Sequence, residues 1–291
     1  MDIASLLIQI LNAVQYGLLL FLVASGLTLV FGIMGIINLA HGSFYMLGAY
    51  LAFVLTRLTG SLLLAIALGV PLALAFGAAL EWLLFARLYK RDHLEQVLLT
   101  YGLILIFEEL RSLALGDEVH GVAIPASFAA SIRLNDTLSY PVYRLVISVV
   151  CLLIASGLYL LIRRTRLGIM IRAGSHDREM VQSLGIPIDA LYRTVFALGV
   201  ALAALAGMLA APISSVFPGM GNQVLIVSFV VVVIGGIGSV WGAFLASLLV
   251  GFADTFGKVL LPDFAGLVVY VVMAIVLLLR PEGIFGRRSS P

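Results

Sequence analysis

Charged residues are scarce in this chain of 291 residues: Asp, Glu, Lys and Arg together make up 11% of it, and hydrophobic residues make up 62%. A soluble domain usually contains about 25% charged and roughly 45 to 50% apolar residues. So low a charge content excludes a water-soluble domain. The composition predicts an all-α, polytopic helical membrane protein.

Reactive and metal-binding motifs are also missing. The single cysteine, Cys151, lies in an apolar run, so no disulfide forms within the chain and thiol chemistry is not expected. No G-x-S-x-G, H-E-x-x-H or C-x-x-C motif is present. Gly116 and Gly121 have the glycine spacing of a P-loop, but Val122 stands where the lysine belongs. We therefore predict no enzyme activity, metal or cofactor in this chain, and any ATP must be hydrolysed by another polypeptide.

Nucleic acid is excluded as a partner, because the basic residues lie in short loops without interleaved aromatic side chains. The N-terminus has no Lys or Arg ahead of its hydrophobic run, which argues against a cleavable secretory signal. Membrane lipid is the expected surrounding of the chain.

Hydropathy predicts eight or nine membrane crossings in a single transmembrane domain, residues 1–291. About 20 apolar residues span a bilayer, and we place spans at 5–33, 36–56, 61–85, 94–115, 141–162, 193–216, 222–236, 240–258 and 264–280. The seventh is short. It is expected to be a half-helix that forms a glycine-interrupted hairpin with the eighth around Gly235, Gly236 and Gly238.

Basic residues predict the orientation, because cytoplasmic loops collect Lys and Arg. Most of the 17 basic residues fall into loops that we place inside: Arg87, Lys90, Arg91, Arg163, Arg164, Arg166, Arg172, Arg178, Arg193, Arg280, Arg287 and Arg288. The N-terminus then lies outside and the C-terminus in the cytoplasm. Residues 117–140 form an external loop, and residues 163–193 form the longest cytoplasmic loop.

Polar residues interrupt the apolar stretch from Gly26 to Tyr50. Asn38 and His41 are three residues apart, so they would share one face if the segment were helical, and Gly42 follows them. Polar groups at membrane depth must be satisfied by protein or by a water-lined cavity. The pattern indicates a cavity or a re-entrant turn. The alternative is an ordinary connection between two helices, with His41 as a packing residue.

The cytoplasmic loop 163–193 is predicted to contain a short helix. Asp177 and Glu179 suit the positive end of a helix that begins near His176, and Gly185 ends it. Its apolar residues share one side and would form an exposed ridge: Met180, Val181 and Leu184. Such a ridge fits a groove of a partner protein. The alternative is that it packs on the chain's own helices or rests among lipid headgroups.

Two further polar patterns lie inside the spans. Glu108 and Arg111 are spaced to form an intramembrane ion pair, while Glu109 points elsewhere. An ion-coupled secondary transporter would use such an acid, so that class stays open. Polar residues on the first span form a stripe at helical spacing: Gln9, Asn12 and Tyr16. Stripes of this kind usually join helices rather than bind substrate.

Small residues recur every four positions on two spans: Gly199, Ala203, Gly207 and Ala211, and Gly69, Ala73 and Gly77. These seams allow another helix to approach closely. The segments 32–53 and 235–252 both begin with glycines and continue with small and apolar residues, which indicates a possible inverted repeat.

Four segments together resemble one transporter family. They are residues 26–50, Thr100-Tyr101-Gly102-Leu103, the loop from Gly168 to Pro187, and VVVVIGGIGSVWGAFLASLLVGF at 230–252. In this order they are similar to the branched-chain amino acid permeases of ATP-binding cassette importers, of the LivH type. Permeases for urea and short-chain amides resemble the same motifs, so the substrate stays open.

The resemblance implies partners and functional residues. It implies a second permease subunit of the LivM type, although a homodimer stays open, two cytoplasmic ATPase subunits and a substrate-binding protein, in the inner membrane of a bacterium or archaeon. The ATPase-docking position matches Arg172, Ala173, Gly185 and Ile186 together with the ridge. Here Ser175 and His176 depart from the general Glu-Ala-Ala pattern of that loop. The implied translocation pathway involves Asn38, His41, Gly42, Gly235, Gly236 and Gly238.

Overall fold

The computed structural model describes residues 3–89, 91–133 and 138–286. The predicted cytoplasmic residues Lys90, Arg287 and Arg288, and part of the predicted external loop, lie outside these ranges. The described chain forms eleven α-helices: α1 (Ile3–Met34), α2 (His41–Thr59), α3 (Leu62–Leu83), α4 (His93–Leu115), α5 (Val142–Arg164), α6 (Arg166–Gly174), α7 (Arg178–Ser183), α8 (Ile188–Ser214), α9 (Met220–Gly235), α10 (Val240–Leu260) and α11 (Ala265–Leu279). Two short antiparallel strands, β1 (Ser131–Arg133) and β2 (Ser139–Pro141), precede α5.

Six helical segments in the described part are long and apolar enough to cross a membrane: Ile3–Met34, Leu62–Arg87, Val142–Arg164, Ile188–Ser214, Val240–Leu260 and Pro262–Leu279. The prediction of eight or nine crossings is therefore wrong by this measure. Polar and charged side chains lower the hydropathy of α2 and α4, which had been counted as spans 36–56 and 94–115. The helix α9 has only 16 residues, fewer than the roughly 20 that a full crossing needs.

Two long helices, α1 and α8, form the centre of the bundle. Most of their residues are buried, because α2, α3, α5, α9 and α10 pack against them, while α4 and α11 lie further out. With 32 residues, α1 is about 48 Å long, which exceeds the hydrocarbon thickness of about 30 Å. We call the end of the bundle where α1 begins the upper end, and the end where it finishes the lower end.

Small residues allow the central helices to touch through their backbones. A Cβ atom built on Gly26 of α1 would lie 2.7 Å from the carbonyl oxygen of Gly199 on α8. One built on Gly77 of α3 would lie 2.9 Å from Cα of Ala197, also on α8. The predicted seams of α8 and α3 are thus used inside this chain, where close packing supplies the dispersion contacts that hold helices together in lipid.

The loop between α4 and α5 covers the upper end of α2. Backbone hydrogen bonds of 2.8 Å join His120 and Val216 in both directions. The imidazole of His120 also stacks on the ring of Phe53, with centroids 4.3 Å apart. This loop therefore connects α2 to the segment that follows α8.

Candidate functional site

The chain re-enters the bundle between α1 and α2. After Met34 the backbone turns at Gly35, whose φ of +67° favours glycine, and residues 36–40 lead back upward. Nε2 of His41, the first residue of α2, lies 3.0 Å from the carbonyl oxygen of Val23. Val23 precedes Met34 by 11 residues, so α2 begins about 16 Å above the end of α1. The segment is a re-entrant turn rather than an ordinary loop.

Asn38 and His41 are fully buried in this turn, and each has one polar atom without a hydrogen-bond partner among the described residues. Oδ1 of Asn38 accepts from the backbone N–H of Ala40 at 3.0 Å, but its Nδ2 has no partner. Because the Val23 carbonyl can only accept, Nε2 of His41 carries the proton and Nδ1 is an acceptor without a donor. Asn38 lies before the helix, so the two residues do not share a helical face.

A second interruption, between α8 and α9, lies next to the first. The backbone turns at Ser215, whose φ is 58° and ψ 171°, and α9 begins at Met220. A Cβ atom built on Gly42 would collide with the carbonyl oxygen of Gly221, and one built on Gly221 would lie 2.7 Å from the Gly42 carbonyl oxygen. The first turns of α2 and α9 therefore meet inside the bundle.

A cavity of about 420 Å³ opens above these interruptions. One wall is the polar side of α1, formed by Gln9, Asn12, Gln15 and Tyr16. The stripe that was predicted to join helices does so in part, because Oδ1 of Asn12 accepts a hydrogen bond from Arg144 of α5 at 2.8 Å. Its larger role is to line the cavity, which the sequence interpretation missed.

Both signs of charge face this cavity. Arg144 lies on one side, and Asp254 and Lys258 of α10 lie on another, with Lys258 Nζ 2.6 Å from Asp254 Oδ2. The Lys258 ammonium also lies 5.6 Å from the ring centroid of Tyr16. Further down α1, the lining is the apolar set Leu19, Leu20 and Val23. Val23 thus lines the cavity with its side chain and holds His41 with its carbonyl group.

The predicted glycine turn occupies a different place. Gly236 and Gly238 have φ values of +93° and +79° in the connection between α9 and α10, which confirms the hairpin. A Cβ atom on Gly32 would lie 2.9 Å from Cα of Gly238, so this turn lies near the lower end of α1. The amide of Phe285 donates to the Gly235 carbonyl at 3.1 Å and covers the turn. These glycines do not line the cavity.

Arg111 joins two acids at the upper end of α4. Its Nη2 lies 3.3 Å from Glu108 Oε2, and its Nη1 lies 2.7 Å from Asp117 Oδ1, a partner that the sequence interpretation did not include. The hydrogen bond from Arg111 holds the pKa of Asp117 below its usual value. Glu109 is exposed on the outside of the bundle. This cluster fixes the end of α4 and does not line the cavity.

The helices α6 and α7 form a compact segment at the lower end. Asp177 caps α7, since its Oδ1 accepts from the Met180 amide at 2.9 Å. Met180 is 57% exposed and Leu184 is 72% exposed, but Val181 is only 3% exposed. The predicted ridge is therefore corrected to Met180 and Leu184. Val181 faces inward because α7 packs against α6 and α8.

The other predicted docking residues belong to the same segment of the chain, in α6 and directly after α7. Arg172 is exposed and donates to the Ile162 carbonyl, which ties α6 to the end of α5. Gly185, with φ of +81°, turns the chain after α7. Ala173 and Ile186 are half-buried.

A buried carboxylate that the sequence interpretation missed lies nearby. Glu81 of α3 is fully buried, 3.2 Å from Nε of Arg193 on α8, and it accepts a hydrogen bond from the Tyr89 hydroxyl. It connects α3 to the first turns of α8, directly after the α6–α7 segment. Among the described residues, no group of three or more His, Cys, Asp or Glu side chains could hold a metal ion.

Comparisons with known proteins show which family the sequence matches. The family model described as "Branched-chain amino acid transport system / permease component" matches residues 9–277. The high-affinity branched-chain amino acid transport system permease protein BraD of Pseudomonas aeruginosa is 32% identical, over 96% of this chain and 95% of that protein.

Two other relatives bear the name LivH. The high-affinity branched-chain amino acid transport system permease protein LivH of Escherichia coli K12 is 31% identical over 96% of this chain and 95% of its own length. A probable branched-chain amino acid transport permease protein LivH of Methanocaldococcus jannaschii is 27% identical over 94% and 91%. No solved structure matches the chain. The match over nearly the whole sequence shows that the chain belongs to the branched-chain amino acid transport system permease family.

Proposed function

We propose that this chain is a membrane-spanning permease subunit of an ATP-binding cassette importer for leucine, isoleucine and valine. The observation that carries the proposal is the family match over residues 9–277, with relatives named for branched-chain amino acid transport. The cavity supports it, because its lining combines polar and charged groups with the apolar set Leu19, Leu20 and Val23, and an amino acid with an apolar side chain needs both.

The substrate path in this proposal runs from the cavity past Val23 to the re-entrant turn. The unpartnered atoms of Asn38 and His41 support this route. Leaving a buried polar group without a hydrogen bond costs about 1 to 3 kcal/mol. A second conformation in which water or substrate reaches these groups would remove that cost. Gly42 permits the close contact that such a moving turn needs, and the turn with Gly235, Gly236 and Gly238 lies further along the path, at its lower end.

The exposed pair Met180 and Leu184 is proposed to dock one of two ATPase subunits. The pair stands on a short capped helix that packs against α6 and α8, so force applied there would be transmitted to the central helix α8. Arg172, Ala173, Val181, Gly185 and Ile186 shape this surface. A second permease subunit and a substrate-binding protein complete the proposed assembly.

The upper end is proposed to face outward. The helix directions bring the described basic residues of the predicted inner loops to the lower end, while Arg57, Arg111, Arg144 and Lys258 lie at the upper end. The positive-inside rule then puts the lower end in the cytoplasm. A cysteine at Asp177 should be labelled only from the cytoplasmic side and one at Glu118 only from outside; the reverse pattern would overturn the orientation.

An inverted repeat is also proposed, but it relates other segments than those that the sequence analysis compared. The succession of a long helix, a turn at positive φ and a half-helix occurs in α1–α2 and again, with opposite direction, in α8–α9. The similarity of residues 32–53 to residues 235–252 instead pairs the α1–α2 turn with the α9–α10 turn, which are not equivalent in this repeat. Inverted repeats with broken helices near the midplane are common in transporters.

Two alternatives differ in what they require. A urea or amide permease would need no apolar wall, whereas Leu19, Leu20 and Val23 give this cavity one below its polar groups. An ion-coupled transporter would need an acid free to take up the ion. Glu108 is held by Arg111 and Glu109 is exposed on the outside of the bundle, and neither acid lines the cavity.

The test is reconstitution of the complete assembly in proteoliposomes with ATP on the cytoplasmic side. We expect uptake of leucine, isoleucine and valine that requires ATP, both permeases and the binding protein. Uptake of urea or short amides with none of the three amino acids would overturn the substrate assignment. Uptake driven by an ion gradient without ATP would overturn the importer class.

A further inference from the structure

The lining of the cavity contains charged groups of both signs. Arg144 is a fixed cation, held by Asn12 at 2.8 Å, on the α5 side of the cavity. Asp254 is an anion on the α10 side, and its side chain is only 17% exposed. A free α-amino acid carries a carboxylate and an ammonium group on the same carbon.

We propose that the cavity is a binding site for the zwitterionic head of a free α-amino acid with an apolar side chain. Arg144 would receive the carboxylate, and Asp254 would receive the ammonium group. The inference rests on the proposed function and adds a substrate site within the permease itself.

The walls decide which side chain fits. Leu19, Leu20 and Val23 are almost completely buried in the bundle and line the cavity along α1, below the charged groups. A branched aliphatic side chain entering there is removed from water, which favours binding by about 0.8 kcal/mol for each CH₂ group. The volume of about 420 Å³ accommodates a single small molecule of this kind.

Lys258 has a distinct role in this site. Its ammonium group neutralises Asp254 at 2.6 Å and rests against the Tyr16 ring, while most of its side chain remains exposed. An incoming ammonium group can therefore take its place beside Asp254 without leaving a charge buried alone. Because the substrate must displace an existing partner, binding is weak, which allows the amino acid to leave again.

The experiment measures ligand binding to the purified full chain, without a binding protein, by saturation-transfer NMR. Three probes are compared: leucine, 4-methylpentanoate, which lacks the ammonium group, and 3-methylbutylamine, which lacks the carboxylate. We expect each analogue to bind at least about tenfold more weakly than leucine, because each loses a charge-assisted hydrogen bond.

The variants then separate recognition from structure. Asp254→Asn should weaken leucine and 3-methylbutylamine at least about fivefold and leave 4-methylpentanoate unchanged. Arg144→Gln should weaken leucine and 4-methylpentanoate and leave the amine unchanged. Asp263→Asn and Arg57→Gln remove charges from exposed positions outside the cavity and should change nothing.

The proposed site would be rejected if Asp254→Asn and Arg144→Gln weakened the binding of all three probes equally, or did not weaken it at all. The conservative variants Asp254→Glu and Arg144→Lys, which keep the charges, should retain leucine binding if the charges recognise the ligand. Wild-type uptake in the reconstituted assembly is measured in parallel. Uptake of branched-chain amino acids with unaltered binding in the variants rejects only this site, whereas absence of uptake rejects the proposed function.

Discussion

The two interruptions in the bundle begin alike and are secured differently. Each follows a long central helix, turns at a positive φ and leads to a half-helix, and the half-helices meet at Gly42 and Gly221. The α8–α9 segment is tied to the distant loop residue His120 by two backbone hydrogen bonds. Among the described residues, the backbone hydrogen bonds of the α1–α2 turn are local, such as that from the His41 amide to the Asn38 carbonyl.

This difference indicates which interruption can move. Rearranging residues 215–219 would break the long-range hydrogen bonds to His120. Nothing would be gained in return, because no described residue of this segment has a buried polar side-chain atom without a partner. Rearranging residues 35–40 would break short local bonds and give Asn38 and His41 the partners that they lack. We infer that the α8–α9 segment is a fixed frame and that the α1–α2 turn is the gate. The predictions below test this distinction.

The largest effect is expected where the half-helices meet. Gly42→Leu should abolish uptake and lower the free energy of unfolding by about 3 kcal/mol, because the new side chain collides with the Gly221 backbone. Thermal unfolding in detergent and uptake in proteoliposomes measure it. Gly102→Leu, at a helical glycine with no atom within 4 Å of a built Cβ, is the matched control and should have little effect. Similar losses of uptake and stability in both variants would contradict a specific role for the contact between Gly42 and Gly221.

The second prediction concerns the proposed contact between α7 and an ATPase subunit, whose loss should stop transport. Met180→Asp or Leu184→Asp should leave the chain inserted but remove ATP-dependent uptake, because a charge would be buried in an apolar contact. Val119→Asp places the same charge at an exposed apolar position in the upper loop and should transport normally. Normal uptake and normal ATPase association in both lower-end variants would refute the docking role of α7.

Backbone strain gives a smaller pair of effects with opposite signs. Ser215 occupies a region of φ and ψ that is almost restricted to glycine, so Ser215→Gly should stabilise the fold by about 1 kcal/mol. Gly35→Ala should destabilise it by about 1 kcal/mol, because alanine is disfavoured at a φ of +67°. Both are measured by thermal unfolding. Shifts of the same sign would contradict the assigned backbone conformations.

The sequence predicted those features that depend on local chemistry. The apolar composition, the small-residue contact between Gly77 and α8, and the Asp177 cap of α7 all follow from residues close together in the chain or from helical periodicity. The extended course of residues 36–40 did not, because Ile36, Ile37 and Leu39 give the turn the hydropathy of a membrane helix.

Features that depend on tertiary packing could not be predicted. The charged groups of the cavity come from α5 and α10, which are about a hundred residues apart, and neither Arg144 nor Asp254 belongs to a motif. The burial of Val181 depends on the rotation of a helix of only 6 residues, which its contacts with α6 and α8 determine. The miscount of crossings has a different cause, because the polar and charged side chains of α2 and α4 are present in the sequence and were given too little weight.

Thiol reactivity at the two interruptions tests the central claim, that the substrate path opens at the α1–α2 turn, most directly. In a Cys151→Ala background, Asn38→Cys and Val216→Cys each place one thiol at a fully buried position, one in the gate and one in the frame. The rate of modification by a water-soluble methanethiosulfonate is measured in the reconstituted assembly, with and without leucine-loaded binding protein and ATP. The account predicts at least about tenfold faster modification of the Asn38→Cys variant during turnover and no change for Val216→Cys. Equal, unchanged rates at both positions during active leucine uptake would contradict it.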